Sequence, residues 1–146
     1  MNPTRILPDL QSSLLCEEVR QEANGNFFII GVVNFIRVPQ LPVVAARLCV
    51  FNRWTAGIGQ FTETVRFIAP DQTTVLRKAE MKFELRDAAM HSTNVMMFGQ
   101  LEFKTAGTYY VEVLVDDVMK IRYPVPVVVV PPPGQNPASP AQEIPA

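Results

Sequence analysis

Apolar and polar residues alternate with a period of two along much of this chain. The clearest case is residues 78–86, where every second side chain is charged. The apolar residues between the charges are Ala79, Met81, Phe83 and Leu85. A strand places alternate residues on opposite faces, whereas a helix would scatter the charges around its circumference. We therefore predict a half-buried strand of an antiparallel sheet here.

The same alternation recurs in residues 61–67 and 109–115. Counted along the whole chain, it predicts eight or nine strands, near residues 9–19, 27–37, 43–53, 60–68, 73–77, 79–86, 93–103, 108–116 and 119–129. A short helix over residues 12–22 is the alternative for the first of these segments. Short strands with a turn about every 8 to 12 residues are typical of a β-sandwich or barrel.

Turn residues separate the predicted strands. Asn24-Gly25 suits a type I′ hairpin, so we expect residues 10–20 to pair antiparallel with residues 27–38. Ala69-Pro70-Asp71-Gln72 predicts a type I or II turn. Pro124 and Pro126 cannot donate ladder hydrogen bonds, so the last strand should lie at a sheet edge or leave the pairing there. This favours a two-sheet sandwich over a closed barrel.

The length of 146 residues fits one domain with its own core, and 48% of the residues are hydrophobic. We assign residues 1–8 to an N-terminal lead-in and residues 9–130 to an antiparallel two-sheet β-sandwich. Residues 131–146 carry six of the 13 prolines, and we predict a disordered, proline-rich tail there.

The charge balance, the apolar segments and the cysteines bear on the kind of partner and on the cellular compartment. The chain has 13 Lys and Arg against 14 Asp and Glu, so it lacks the basic excess that nucleic-acid binding requires. Neither a signal peptide nor an apolar run of roughly 18 to 20 residues is seen, so we expect a cytoplasmic protein without a membrane partner. Cys16 and Cys49 are isolated, and we predict buried, reduced thiols.

The residues that could act in catalysis or bind a metal or cofactor do not match a known motif. The single histidine, His91, lies near Asp87 and Ser92, but no nucleophile elbow is present. One histidine and two separated cysteines do not make a zinc site. Gly57-Ile58-Gly59 lacks the third glycine of a dinucleotide loop. We predict no catalytic residues, no metal and no cofactor.

Two segments could form a contact surface. Arg53 and Trp54 precede a glycine-bearing loop, where Trp54 could serve as a recognition anchor or cap the core, and the core is the favoured place for a large aromatic. Met96, Met97 and Phe98 form an adaptable apolar cluster. Because Met96 and Met97 point to opposite faces of one strand, at least one should lie on the outer face.

Two resemblances concern the fold. Gly107-Thr108-Tyr109-Tyr110-Val111-Glu112-Val113 resembles the penultimate strand of immunoglobulin-like and fibronectin-like sandwiches. A second resemblance spans about residues 10–130. Its motifs are Leu14-Leu15-Cys16-Glu17-Glu18, Asn24-Gly25 leading to Ile29-Ile30-Gly31-Val32, Ala69-Pro70-Asp71 and Ala106-Gly107-Thr108-Tyr109. Together these motifs are similar to a bacterial family of small β-sandwich proteins of unassigned function, which implies a fold and no activity.

Several predicted strands, including those with Phe27, Phe28 and residues 127–130, are apolar on both faces. This indicates self-association or docking, and a free sheet edge would allow strand addition by a partner. We predict a non-enzymatic module that forms a homo-oligomer or binds another protein. The candidate contact residues are Arg53, Trp54, Met96, Met97 and Phe98. The alternative is a small-ligand or carbohydrate-binding sandwich that uses the Trp54 loop.

Overall fold

The computed structural model describes residues 5–131, which form nine strands and no helix. The strands are β1 (Asp9–Gln21), β2 (Phe27–Val32), β3 (Ile36–Val38), β4 (Val43–Thr55), β5 (Gly59–Ile68), β6 (Val75–Leu85), β7 (His91–Phe103), β8 (Gly107–Val115) and β9 (Val118–Val129). The prediction of an all-β chain with eight or nine strands is confirmed. The helix alternative for residues 12–22 is wrong, because this segment lies within β1.

The strands form two sheets that share one core. The first, called the antiparallel sheet, has the order β2-β1-β4-β7, and the second, called the mixed sheet, has the order β3-β9-β8-β5-β6. The second sheet is mixed because β3 runs parallel to β9, so the expectation of a purely antiparallel fold is wrong there. The predicted strand 27–37 divides between the two sheets, and the predicted strands 73–77 and 79–86 are one strand, β6.

The two-residue alternation places the core correctly. On β6, the apolar residues Ala79, Met81, Phe83 and Leu85 pack into or against the core, and the charged residues between them are exposed. Phe67 of the mixed sheet meets Phe98 of the antiparallel sheet edge-on, with ring centroids 5.0 Å apart. Contacts of this kind bury the facing sides of both sheets in a single hydrophobic core.

The β1–β2 hairpin differs from its predicted turn. The amide of Glu22 donates to the carbonyl of Asn26 (2.7 Å), and the amide of Gly25 donates to the carbonyl of Glu22 (2.9 Å). The loop therefore has three residues, and only Gly25, with φ of 94°, takes a positive φ. A type I′ turn would need positive φ at two positions, so the chain instead uses a type I turn followed by a left-handed glycine.

The hairpin folds back over the outer face of the antiparallel sheet. The first half of β1 pairs with β4, and only Cys16–Gln21 pairs with β2, so the predicted pairing of residues 10–20 with residues 27–38 holds for this second half alone. Phe27 packs edge-on against Phe51 of β4, with centroids 6.0 Å apart. Gly31, with φ of 71°, lies in β2 where a Cβ atom would collide with Glu17.

Two proline predictions are confirmed. The amide of Gln72 donates to the carbonyl of Ala69 at 2.8 Å, which closes the predicted Pro70 turn. Pro124 and Pro126 lie where β9 pairs with β8 alone, because β3 covers only Val127–Val129. Residues 1–4 of the predicted lead-in and 132–146 of the predicted tail lie outside the described residues, while Ile6 forms a bridge with Ile58.

Candidate functional site

Three of the five predicted contact residues lie in the interior. Trp54, Met96 and Phe98 are buried in the core, so the expectation that they form a contact surface is wrong. The side chain of each points to the inner face of its sheet, where the opposite sheet covers it. Met97 points outward and is 63% exposed, as the alternation on β7 predicts. Arg53 is partly buried on β4.

Trp54 occupies the end of β4 and not a free loop. Its ring is fully buried and stacks on Phe83 of β6, with centroids 5.5 Å apart and planes inclined by 28°. Its indole Nε1 donates to Glu63. The ring therefore offers no face to a sugar or another ligand, and the alternative function based on the Trp54 loop loses its main residue.

A buried polar cluster, formed by Asn52, Trp54, Glu63 and Asn94, is the most unusual chemical feature of the core. Glu63 is 0% exposed. Its Oε1 accepts hydrogen bonds from Trp54 Nε1 (2.6 Å) and Asn94 Nδ2 (2.7 Å), and its Oε2 accepts one from Asn52 Nδ2 (2.6 Å). Glu63 belongs to the mixed sheet and its three donors to the antiparallel sheet. Every bond of the cluster to Glu63 therefore joins the two sheets.

The electrostatics of the cluster are dominated by desolvation. Burial raises the pKa of the Glu63 carboxyl above its ordinary value, and the hydrogen bonds from Asn52, Asn94 and Trp54 act in the opposite direction. No charged residue stands directly beside it in the mixed sheet, where its cross-strand neighbours are Met81 and Val115. The Oδ1 atom of Asn52 is buried without a hydrogen-bond partner. A proton held by Glu63 would give this oxygen a donor after rotation of the Asn52 amide.

The cluster bridges the two sheets. A general acid or base must come within hydrogen-bond reach of the group it protonates, and the Glu63 carboxyl is enclosed. Sequence reasoning did not single out Glu63, although the signal was present. In the two-residue alternation, Glu63 lies on the same inward face of its strand as Phe61, Val65 and Phe67. Asn52 lies on the same inward face as Val50 and Trp54.

The histidine neighbourhood does not assemble a catalytic set. His91 is exposed at the first position of β7. The hydroxyl of Ser92 donates to Asn94 Oδ1 at 2.8 Å, so it belongs to the edge of the buried polar cluster. Within residues 5–131, no group of three His, Cys, Asp or Glu side chains is arranged to hold a metal ion.

The two cysteines are directly opposite each other on β1 and β4. Both thiols are free and buried, and Cys49 Sγ donates to the carbonyl of Glu17 at 3.8 Å. Burial raises the pKa of Cys16 to about 11 and also raises that of Cys49. Such thiols are poor nucleophiles because the thiolate is the reactive form.

Three alternate residues of β2 form an exposed apolar row. The row consists of Phe28 (52% exposed), Ile30 (39%) and Val32 (50%), and we call it the β2 row. These residues alternate along β2, so they share the outer face of the hairpin. β2 is also the edge strand of the antiparallel sheet, and its six residues include no charge and no proline.

The edge strands β6, β3 and β7 in residues 5–131 carry protection that β2 lacks, and the part of β9 that β3 leaves free carries Lys120, Arg122, Pro124 and Pro126. β6 presents alternating charged residues, and β3 is only three residues long and contains Arg37. On β7, the guanidinium of Arg77 crosses from β6 and donates to the carbonyls of Gly99 and Gln100, each at 3.0 Å. β2 therefore combines a free edge with a sequence that has no charge and no proline.

A groove of about 600 Å³ lies at the end of the mixed sheet, beside Phe61 and Phe83. The guanidinium of Arg5 lies 4.7 Å from the centre of the Phe61 ring, forms an ion pair with Asp116 and donates to the carbonyl of Gln60. The N-terminal segment thus contributes to this end of the fold. No part of the chain between residues 5 and 131 forms a helix with the length and apolarity needed to cross a bilayer.

Comparison with known proteins gives a family and no activity. A model of a family of unknown function matches residues 11–128, which is more than half of the chain. This agrees with the resemblance to a family of unassigned function drawn from the sequence. The search of the curated proteins finds no match.

Proposed function

The chain belongs to DUF6941, the family of unknown function whose model it matches, and we propose that it is a non-enzymatic interaction module that acts through protein contacts. The observation that carries this proposal is the β2 row on an unprotected sheet edge. We place the contact on β2 and not on the residues first predicted, since only Met97 of those is well exposed.

β2 offers a partner both an exposed apolar face and a free backbone edge. The outer face of β2 leaves Phe28, Ile30 and Val32 in water, and burying such side chains contributes about 25 cal/mol per Å². The free edge leaves backbone amides and carbonyls without a protein partner on one side. A strand added to this edge would satisfy the backbone groups and pack against the apolar row, which is the mode called β-augmentation.

We also infer that the two sheets form an immunoglobulin-like sandwich. The order β1-β4-β7 corresponds to strands A-B-E of that fold, and β6-β5-β8-β9 corresponds to C′-C-F-G. The hydroxyl of Tyr109, near the start of β8, donates to the carbonyl of Thr105 at 2.7 Å. This contact has the form of the tyrosine corner found at the same place in immunoglobulin-like domains.

The absence of catalysis and the cytoplasmic location are parts of the same proposal. The most perturbed acid of the core, Glu63, is enclosed by its three donors, which suits a structural role. The free thiols of Cys16 and Cys49 suit a reducing compartment. The near-neutral net charge of −1 gives no support to a nucleic-acid partner.

The test is affinity capture from the native host with the full chain and two variants. Ile29→Pro removes an edge amide of β2, and Met97→Lys changes an exposed residue elsewhere on the antiparallel sheet. We expect wild type and Met97→Lys to retain the same partners by mass spectrometry and Ile29→Pro to lose them. Equal capture by all three proteins would contradict a contact at the β2 edge.

A further inference from the structure

We propose that the partner at the β2 edge is a second copy of this chain, with the two β2 strands paired antiparallel about a twofold axis at Ile30. This inference rests on the proposed function and names its partner and register. The chain then forms a dimer in which the two antiparallel sheets continue into one sheet of eight strands, since each copy contributes four.

The direction of the β2 backbone groups supports this pairing. Glu22 and Asn26 close the hairpin by a hydrogen bond, and residues alternate from there between bonded and non-bonded positions. The register pairs Arg20 with Phe28 and Glu18 with Ile30, so Phe28 and Ile30 direct their amides and carbonyls toward β1. The amide of Ile29 therefore points to the open edge, where a second strand can bond to it.

The register at Ile30 follows from the side chains. In an antiparallel pair, residues that face each other share one face of the sheet. An axis at Ile30 places Phe28 of each copy opposite Val32 of the other and sets the two Ile30 side chains together. Every residue of the β2 row then has an apolar cross-strand neighbour, and such aromatic and β-branched pairs stabilise antiparallel sheets. An isologous contact of this kind closes as a dimer.

Charge also favours a second copy over a charged partner. β2 carries no charged side chain. Beside the β2 row, β1 presents Glu18 and Arg20, which pair with each other at 2.7 Å. The net charge of −1 leaves little repulsion between two copies. The surface thus has neither the excess charge that would select an oppositely charged protein nor a charge that would oppose its own copy.

The first measurement is the mass in solution of the full chain and its variants. Because the contact is small, we expect wild type to shift from 16.3 kDa toward twice that mass as its concentration rises from about 1 μM to about 1 mM. Ile29→Pro and Ile30→Lys should stay monomeric over this range. Met97→Lys is the matched control, since it adds the same charge at an exposed apolar site on β7, at the opposite edge of the antiparallel sheet, and it should dimerise like wild type. Circular dichroism checks that each variant is folded.

The second measurement tests the register. At the twofold axis, the Ile30 pair occupies a non-hydrogen-bonded position, where Cα atoms lie about 4.5 Å apart and a disulfide can form. Ile30→Cys should therefore give a covalent dimer on mild oxidation, and Phe28→Cys, two residues away on the same face, should not. Cross-linking of Phe28→Cys in place of Ile30→Cys would overturn the proposed register.

A wild-type protein that stays monomeric at about 1 mM, with no cross-link through Ile30→Cys, would overturn self-pairing. That result would leave the proposed function standing if capture from the host still depended on Ile29. If the protein neither pairs with itself nor depends on Ile29 for capture from the host, β2 is not an interaction site.

Discussion

The indole Nε1 of Trp54 donates a 2.6 Å hydrogen bond to Oε1 of Glu63, and the bond crosses from the antiparallel sheet to the mixed sheet. Asn52 and Asn94 add two more bonds across the same gap. Hydrophobic contacts alone would tolerate some sliding of one sheet over the other, because they have little directionality. The buried polar cluster favours one alignment, since a shifted sheet would leave a buried carboxyl without donors.

Replacing Glu63 by glutamine should leave the protein at least as stable at neutral pH. Glu63→Gln keeps the oxygen that accepts from Trp54 and Asn94, and after rotation of the Asn52 amide its new amide can donate to Asn52 Oδ1 in place of the wild-type bond from Asn52 Nδ2. The variant also removes the desolvation cost of a buried charge. We expect a change in the free energy of unfolding between 0 and about +2 kcal/mol, measured by urea denaturation with the fluorescence of Trp54, the single tryptophan.

Glu63→Leu is the contrasting variant. Leucine fills a similar volume but accepts no hydrogen bond, so Trp54 Nε1 and the two asparagine amides would be buried without acceptors. Each such group costs about 1–3 kcal/mol, and we expect a loss of at least about 3 kcal/mol. Equal stability of Glu63→Leu and wild type would show that the cluster does not hold the sheets together.

The contribution of Glu63 to the stability of the wild-type chain should fall as the pH rises above 4.5, the ordinary pKa of its carboxyl. The pKa of Glu63 is raised in the folded state, so the folded chain binds more protons than the unfolded chain between 4.5 and the raised value. In that window the slope of unfolding free energy against pH is negative. Other acids contribute to the profile, so the difference between wild type and Glu63→Gln isolates this group. A difference that does not change with pH would contradict the assignment.

Gly31→Ala should destabilise the chain by about 1–2 kcal/mol, measured by thermal or urea unfolding. Gly31 adopts a φ of 71°, and a Cβ there would also lie 2.7 Å from the Glu17 carboxyl carbon. Gly25→Ala is the matched control, because Gly25 has a φ of 94° but open space around it. The contacted atoms are the far end of the exposed Glu17 side chain, which can turn away, so adding Glu17→Ala should change the cost of Gly31→Ala little and leave it close to that of Gly25→Ala.

The alternation of residues 78–86 predicts strand position and inward face well, because burial on one side of a sheet imposes a two-residue period. It does not predict which sheet a strand joins. The division of residues 27–37 between β2 and β3 depends on long-range pairing with β1 and β9, and the alternation continues across the bend. The interior place of Trp54 follows from its inward parity with Val50 and Asn52. The burial of Glu63 does not follow from its inward position among the apolar residues of β5, because an acid is almost never fully buried unless it is paired, and its partners lie on the other sheet.

Arg77→Ala should loosen the free edge of β7. The guanidinium of Arg77 donates to two successive carbonyls, those of Gly99 and Gln100, and hydrogen bonds from a charged donor contribute about 1.5–3 kcal/mol. We expect a loss of that order and faster amide hydrogen exchange in β6 and β7. Arg77→Lys should recover little of it, because an ammonium group cannot reproduce the planar fork of arginine. Full recovery by lysine would show that charge and not geometry matters at this edge.

The thiols of Cys16 and Cys49 should be unreactive in the folded chain and reactive once it unfolds. The pKa of Cys16 is raised to about 11 by burial, so only about a thousandth of it is thiolate at a pH near 8. We expect a thiol-reactive dye to modify neither cysteine of the native protein within minutes and to modify both in guanidinium.

Gly31→Ala tests whether the β1–β2 hairpin shields the two thiols from labelling. Cys49 Sγ contacts the carbonyl of Glu17, and Gly31, with its positive φ, lies against the Glu17 side chain. If the folded-back hairpin shields the thiols, Gly31→Ala should speed labelling by roughly tenfold per 1.4 kcal/mol of local destabilisation. Gly25→Ala, at the loop tip, should speed labelling only as far as it lowers global stability. If the labelling rate instead rises by the same factor per kcal/mol of lost stability in both variants, the thiols become exposed only by global unfolding, and the hairpin does not open on its own.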